Sequence, residues 1–137
     1  MFVAIVLSLA TFFSLGCSGR SDLASVRGKI TLDGQPLENA FVVFAPTTHG
    51  TSSRGKTDGS GHYEMMFTDS EKGAWIGENL VRINTGDVAG NGPAPKERVP
   101  AVYNTSTTLK VDVKPGSNSF DFELKSNAGK INAAPTE

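Results

Sequence analysis

The chain has 137 residues, of which 38% are hydrophobic and 20% charged, with 13 basic and 14 acidic side chains and a formal net charge of -1. This is the size and balance of one small globular domain, and the absence of a basic run excludes the electrostatic footprint that nucleic-acid binding requires. The 15 glycines and 7 prolines favour many short strands joined by turns over long helices.

The first element along the chain is an apolar segment, FVAIVLSLATFF, at residues 2–13, and no charged side chain occurs before Arg20. It has the length of the hydrophobic region of a signal peptide and is too short to span a bilayer comfortably. Gly16 and Cys17 follow, and residues 14–18 (SLGCS) resemble the lipobox of bacterial lipoproteins. That resemblance implies cleavage before Cys17, the only cysteine in the chain, and acylation of its thiol and new amino group.

The sequence therefore predicts four parts. They are a lipoprotein signal peptide at 1–16, a lipidated cysteine with a polar tether at 17–25, a folded domain at 26–125 and a disordered tail at 126–137. A plain secretory signal and a short membrane anchor are the alternatives for the first part. Ser18 after the cysteine resembles lipoproteins sorted to an outer membrane, so we expect an outer-membrane or cell-surface location rather than the inner membrane.

Alternation of apolar and polar residues at period two recurs through the predicted domain, between turn signals. Residues 26–32 alternate and end at Asp33 and Gly34, whereas 40–45 (AFVVFA) are apolar on both faces, as in a central strand. Further candidate strands lie at 62–67, 80–85, 109–114 and 120–125. No window of a dozen residues shows a helical apolar period. The pattern predicts an all-β fold of two packed antiparallel sheets.

Three of these segments resemble one known family in their order and spacing. Residues 26–37 (VRGKITLDGQPL), 40–46 (AFVVFAP) and 57–63 (TDGSGHY) together resemble carboxypeptidase regulatory-like domains of the transthyretin-like, or prealbumin-like, fold. The resemblance extends over residues 26–125 and implies a seven-stranded antiparallel β-sandwich outside the cytoplasm. Because the family serves many purposes, the resemblance does not by itself assign a function.

The two turn motifs within these segments have a structural interpretation. Asp33 followed by Gly34 is a strong hairpin signal, because both residues tolerate positive φ. In the second motif the Asp58 carboxylate can accept backbone N–H bonds, and Gly59 and Gly61 are expected to take conformations closed to other residues. A calcium loop is the alternative for this motif, but a serine stands where a second acid is required.

Catalytic constellations known in this fold are not matched by the sequence. The Tyr-Arg-Gly-Ser segment of 5-hydroxyisourate hydrolases is not present, and the histidine spacing of intradiol dioxygenases is not met, because His49 and His62 lie thirteen residues apart. Nucleophile-elbow and zinc-peptidase motifs are also absent. We therefore predict no enzymatic activity, no cofactor and no metal. The enzymatic alternative is a small metal-dependent or hydrolytic enzyme built on His49, His62 and Tyr63.

Trp75, the only tryptophan, and the Gly- and Pro-rich loop at 86–100 are the remaining candidates for ligand contact. A tryptophan between strands either stacks on a sugar ring or caps the sandwich, and long loops on a rigid sandwich are common binding sites. We predict a non-catalytic, lipid-anchored envelope module with a binding or structural role, whose partner is an envelope protein or a glycan. A carbohydrate-binding module using Trp75 and the 86–100 loop is the alternative. The glycosylation pattern beginning at Asn104 is interpreted as chance.

Overall fold

The computed structural model describes residues 20–86 and 95–132. The predicted signal peptide and Cys17 lie outside these residues. The described residues form ten strands and a single-turn 3-10 helix: β1 (Leu23–Leu32), β2 (Gln35–Pro36), β3 (Phe41–Pro46), β4 (Ser53–Lys56), β5 (His62–Glu64), β6 (Ala74–Trp75), β7 (Gly77–Asn84), the helix (Ala101–Tyr103), β8 (Lys110–Val113), β9 (Ser117–Ser119) and β10 (Phe122–Leu124). Within the two described ranges no helix is long and apolar enough to cross a membrane.

The first sheet is organised around β1, a strand of 10 residues. β2, β5 and β6 pair with β1 in antiparallel fashion, whereas β9 and β10 pair with it in parallel. The alternation along β1 explains its position, since Ala24, Val26 and Ile30 are buried while Arg27 faces solvent. β1 therefore carries one inward face along nearly the whole length of the sandwich.

The second sheet has the order β4-β3-β7-β8, with every neighbouring pair antiparallel. β3 is an internal strand, as its apolar sequence predicts, and Val42 and Phe44 on its inner face are fully buried. The ring of Phe44 packs against two rings of the first sheet, with centroid distances of 6.1 Å to Phe120 and 6.5 Å to Phe122. These contacts join the two sheets across a single hydrophobic core.

The all-β, two-sheet sandwich predicted from the sequence is confirmed. The structure differs from the prediction in two details, the number of strands and the parallel pairing of β9 and β10 with β1. The last strand is interrupted at Phe120 and Asp121, where the Asp121 carboxylate accepts the Lys29 backbone N–H at 2.8 Å in place of a ladder carbonyl. Strand direction is invisible in the sequence because parallel and antiparallel strands share the same period of two.

The predicted tail at 126–137 is hydrogen-bonded to the domain over its described part, although its side chains there are exposed. The backbone N–H of Ser126 donates to the Asp33 carboxylate at 3.0 Å, and the Lys130 carbonyl accepts the Ala101 N–H at 2.8 Å. Both bonds use polar groups, so they leave no trace in the hydrophobic pattern from which the tail was predicted. The folded domain therefore continues beyond its predicted boundary at residue 125.

Candidate functional site

The strands of the sandwich run between two groups of loops, which lie at its opposite ends. The length of β7, from Gly77 to Asn84, separates the ends by roughly 23 Å at the usual rise of a strand. We call the end of the sandwich at which β7 begins the Trp75 end. Its residues are Arg20, His49, Gly50, Phe67 and Trp75. We call the end at which β7 finishes the Glu97 end. Its residues are Thr85, Gly86, Glu97, Val99 and Asn104.

Trp75 is half-buried at its end of the molecule and is surrounded by packed side chains. Its ring meets those of His49 and Phe67 edge-on, at centroid distances of 5.5 and 6.1 Å. The Arg20 guanidinium lies 5.4 Å from the Trp75 ring centroid and 5.1 Å from that of Phe67. Gly50 lies so close to the indole that a Cβ there would be 2.6 Å from the ring. The indole therefore acts as a cap on the sandwich.

The chain is already held to the body at Arg20, within the predicted tether at 17–25. The Arg20 guanidinium donates two hydrogen bonds to the Asp22 carboxylate, at 3.1 and 2.9 Å, which raises the pKa of Arg20 and lowers that of Asp22. The Asp22 carbonyl accepts the Ile76 N–H at 3.0 Å, and β1 begins at Leu23. The folded part thus starts before the predicted boundary at residue 26.

At the opposite end a single carboxylate, that of Glu97, closes the base of a loop. It accepts the backbone N–H and the hydroxyl of Thr85, both at 3.0 Å, and the N–H of Gly86 at 3.1 Å. It also accepts the N–H groups of Arg98 and Val99, at 3.0 and 2.8 Å. Glu97 therefore ties the two ends of the predicted binding loop together.

Sequence reasoning selected the loop at 86–100 and missed Glu97. Its partners are mostly backbone N–H groups, which have no signature in a sequence, and residues 87–94 lie outside the described residues. Asn104 lies at the same end, is buried, and donates its amide to three backbone carbonyls at 3.3 Å. A buried and bonded amide is not an acceptor for a glycan, which agrees with the interpretation of its glycosylation pattern as chance.

The turn residues singled out in the sequence lie in two tight turns. Asp33 and Gly34 connect β1 to β2 with φ of 52° and 81°. One Asp58 carboxylate oxygen accepts two backbone N–H bonds, at 2.9 and 3.0 Å. Gly61 has a φ of 76°, whereas Gly59, contrary to expectation, has no positive φ. One left-handed residue suffices for this turn because the Asp58 side chain already satisfies the N–H groups inside it.

The structure does not bring together the side chains of the enzymatic alternative. His49 packs on Trp75, which pairs with Leu23 at the start of β1, whereas His62 pairs with Lys29, six residues and roughly 20 Å later along β1. Tyr63 is buried, donates its hydroxyl to a backbone carbonyl at 2.6 Å, and has its pKa raised by burial. Within residues 20–86 and 95–132, no three His, Cys, Asp or Glu side chains are placed to hold a metal ion.

An open groove of about 670 Å³ lies on the outer face of β1 and β5. Its lining has charges of both signs, and Arg27 forms a salt bridge of 3.3 Å with Glu64 across the strands. Because the Arg27 side chain is largely exposed and that of Glu64 about one third exposed, solvent screens the pair, which contributes little to stability. The groove presents no field of one sign. The charged side chains that line it are Arg27, Lys29, Lys56, Asp58, Glu64 and Asp121.

No family model and no curated protein matches this chain. Among solved structures, it is similar to a DUF3823 family protein from Parabacteroides merdae ATCC 43184, with 16% sequence identity and a TM-score of 0.41. The match covers 76% of this chain and 46% of that chain, so this chain spans less than half of that protein's length. A similarity at this level assigns neither a family nor a function.

Proposed function

We propose that this chain is a non-catalytic, lipid-anchored module of the bacterial cell envelope that presents the loops of its Glu97 end to an envelope protein or a glycan. The anchor is the lipid on Cys17, at the outer membrane or cell surface. The observation that carries the presenting role is the Glu97 carboxylate, which accepts hydrogen bonds from both ends of the 86–100 loop. A loop on a fixed base loses less conformational freedom when it binds, which favours affinity.

The proposal includes the finer assignment to the carboxypeptidase regulatory-like domains. Its support is the order of three features, namely the turn at Asp33 and Gly34 after β1, the internal strand β3, and the turn closed by Asp58. An experimental structure of the chain tests it. A strand order that does not superpose on that of these domains overturns the assignment and leaves the β-sandwich.

The alternatives lose their geometric support. A carbohydrate site that uses Trp75 together with the 86–100 loop needs them side by side, but β7 separates Trp75 from the described ends of that loop by roughly 23 Å. A metal-dependent enzyme needs His49 and His62 to converge, but the β1 positions beside them are six residues, or roughly 20 Å, apart. A glycan therefore remains a proposed partner, but it would bind at the Glu97 end without Trp75.

The anchor is tested by the intact mass of the native protein from a membrane fraction. We expect a chain that begins at Cys17 and carries acyl groups, and a Cys17→Ala variant that is neither cleaved at this site nor acylated. Protease digestion on whole cells then reports whether the domain faces outward. An unmodified native protein in the soluble fraction overturns the lipid anchor.

The presenting role is tested by binding to isolated cell-wall and envelope-polysaccharide preparations. We expect saturable binding that weakens in Glu97→Gln, because glutamine keeps one acceptor oxygen but turns an NH2 donor toward the Gly86 N–H, which the second carboxylate oxygen accepts. Glu123→Gln is the matched control, since Glu123 is exposed on β10. Binding that does not saturate, or that weakens equally in both variants, contradicts the role of the braced loop.

A further inference from the structure

The distance between Cys17 and the first packed residue is short. Arg20 lies three residues after Cys17 in the chain and is held over the Phe67 and Trp75 rings. Three peptide units span at most about 11 Å, whatever their conformation. The Trp75 end is therefore tied closely to whatever Cys17 is attached to.

The polar region of each leaflet is about 5–8 Å thick, and a lipidated cysteine sits within it. A reach of at most about 11 Å from that level leaves Arg20 in or just above the head groups. The opposite end of β1, at Leu32, lies roughly 30 Å further along the strand axis. The tether thus distinguishes the two ends of the sandwich by their distance from the membrane.

We propose that the Trp75 end docks on the head-group region of the membrane that carries the lipid. This inference rests on the acylation of Cys17 in the proposed function. Arginine is suited to this region because it combines an apolar stem with a charged group, and the half-buried Trp75 ring, whose Nε1 faces the protein interior, supplies apolar surface beside it. The exposed side chains of Arg20 and His49 are the ones that meet the head groups first.

The short tether, rather than net charge, holds this surface on the membrane. The Arg20 guanidinium is paired with the Asp22 carboxylate at 2.9 Å, and Lys72 is paired with Glu64 at 3.1 Å. Paired charges give little attraction to anionic lipids, so the docking is expected to persist at high salt. The docking also points the Glu97 end away from the bilayer, toward the partners it would present its loop to.

The single tryptophan makes this docking measurable in the intact protein. The acylated full chain is reconstituted into vesicles of phosphatidylethanolamine and phosphatidylglycerol that contain a phospholipid spin-labelled at the head group. Spin labels quench tryptophan only at short range, so we expect Trp75 fluorescence to fall by about half, equally at low and high salt.

Two variants serve as controls. Trp75→Phe combined with Val102→Trp moves the fluorophore to the Glu97 end, where Val102 is 37% exposed, and we expect no quenching. Ten Gly and Ser residues inserted after Gly19 add an r.m.s. length of about 17 Å, so we expect most of the Trp75 quenching to be lost.

The outcomes separate this inference from the function on which it rests. The intact mass of the same sample reports acylation, and an unacylated protein overturns both. An acylated protein whose Trp75 is quenched no more than the tryptophan at position 102 overturns the docking and leaves the anchor. Quenching that survives the longer tether overturns the claim that the tether holds this end in place.

Discussion

The two ends of this sandwich are held by different kinds of contact. At the Trp75 end, the indole packs against two rings and a guanidinium, and each such contact is worth about 0.5–2 kcal/mol. At the Glu97 end, one carboxylate accepts hydrogen bonds from five donor groups, and bonds to a charged group are worth about 1.5–3 kcal/mol each.

The difference shows that the composition of a loop decides whether ring contacts or hydrogen bonds attach it to the sandwich. Ring contacts depend weakly on direction, so they hold the Trp75 end wherever aromatic side chains are available. The 86–100 loop is rich in Gly and Pro and has no aromatic residue, so no ring contact of its own is available to it. Hydrogen bonds are directional, and the Glu97 carboxylate therefore fixes the backbone N–H groups at the two described ends of the loop.

The largest expected effect comes from β1, which both ends share. A Cβ at Gly28 would lie 1.8 Å from the Phe120 carbonyl oxygen and 3.0 Å from the Tyr63 ring. We expect Gly28→Ala to lower the free energy of unfolding by at least about 3 kcal/mol, measured by urea denaturation. Gly59→Ala is the control, with no atom nearer than 3.9 Å, and should change stability by at most about 0.5 kcal/mol. Equal losses of stability in the two variants would contradict the close approach of Gly28 to the Phe120 carbonyl.

Glu97→Ala breaks the Glu97 end alone. It leaves several N–H groups without their acceptor, so we expect a loss of about 2–3 kcal/mol in the free energy of unfolding. Hydrogen exchange should accelerate at Thr85, Gly86 and Val99, while Trp75 fluorescence stays unchanged. Glu123→Ala serves as the surface control. A change in Trp75 fluorescence would show that the two ends are not held independently.

Gly50→Ala tests the packing at the Trp75 end. Gly50 and Gly116 have similar φ values, 109° and 96°, but a Cβ at Gly50 meets the indole at 2.6 Å whereas one at Gly116 meets nothing within 4 Å. We expect Gly116→Ala to cost about 1 kcal/mol through backbone strain alone, and Gly50→Ala to cost about 2 kcal/mol with a shift in Trp75 emission. Equal losses of stability in the two variants would mean that the indole moves aside without an energetic penalty.

The smallest expected effect is a difference in how salt changes the pKa values of two aspartates, one at each end of β1. The pKa of Asp22 is lowered chiefly by its hydrogen bond with Arg20, and that of Asp33 chiefly by hydrogen bonds from Ser126. Because both folded-state pKa values are depressed, the stabilisation is present above the unfolded value of about 3.8 and is lost as the pH falls through the folded value. Salt screens an ion pair more than a bond to a neutral group. NMR titration of the carboxyl carbons should therefore show the pKa of Asp22 rising more at high salt than that of Asp33, on which the Lys125 charge has only a minor effect.

Much of the fold was predictable because burial follows the alternation of the sequence. Val26 and Ile30 alternate with charged residues and are buried, and the apolar stretch containing Val42 and Phe44 forms an internal strand. The turn at Asp33 and Gly34 was predictable for a local reason, since few residues accept positive φ.

The candidate site was less predictable because it depends on distances across the fold. Trp75 and the 86–100 loop were both noticed in the sequence, but the carbohydrate alternative combined them although the candidate strand at 80–85 lies between them, and the structure shows this strand as Gly77–Asn84. Glu97 was missed because it binds backbone N–H groups twelve residues earlier in the chain, at Thr85. The position of Arg20 over the Trp75 ring is equally non-local, and it shortens the tether that the sequence suggests.

The sequence by itself determined the all-β character, the inward faces of the strands and the positions of the tight turns. These properties follow from period and from backbone sterics, which act between neighbours in the chain. The tertiary structure alone decided the parallel pairing of β9 and β10 with β1, the closure of the loop by Glu97 and the placement of Arg20 and Trp75 at one end. Each of these rests on contacts between residues far apart in the chain, which become neighbours only when the two sheets pack.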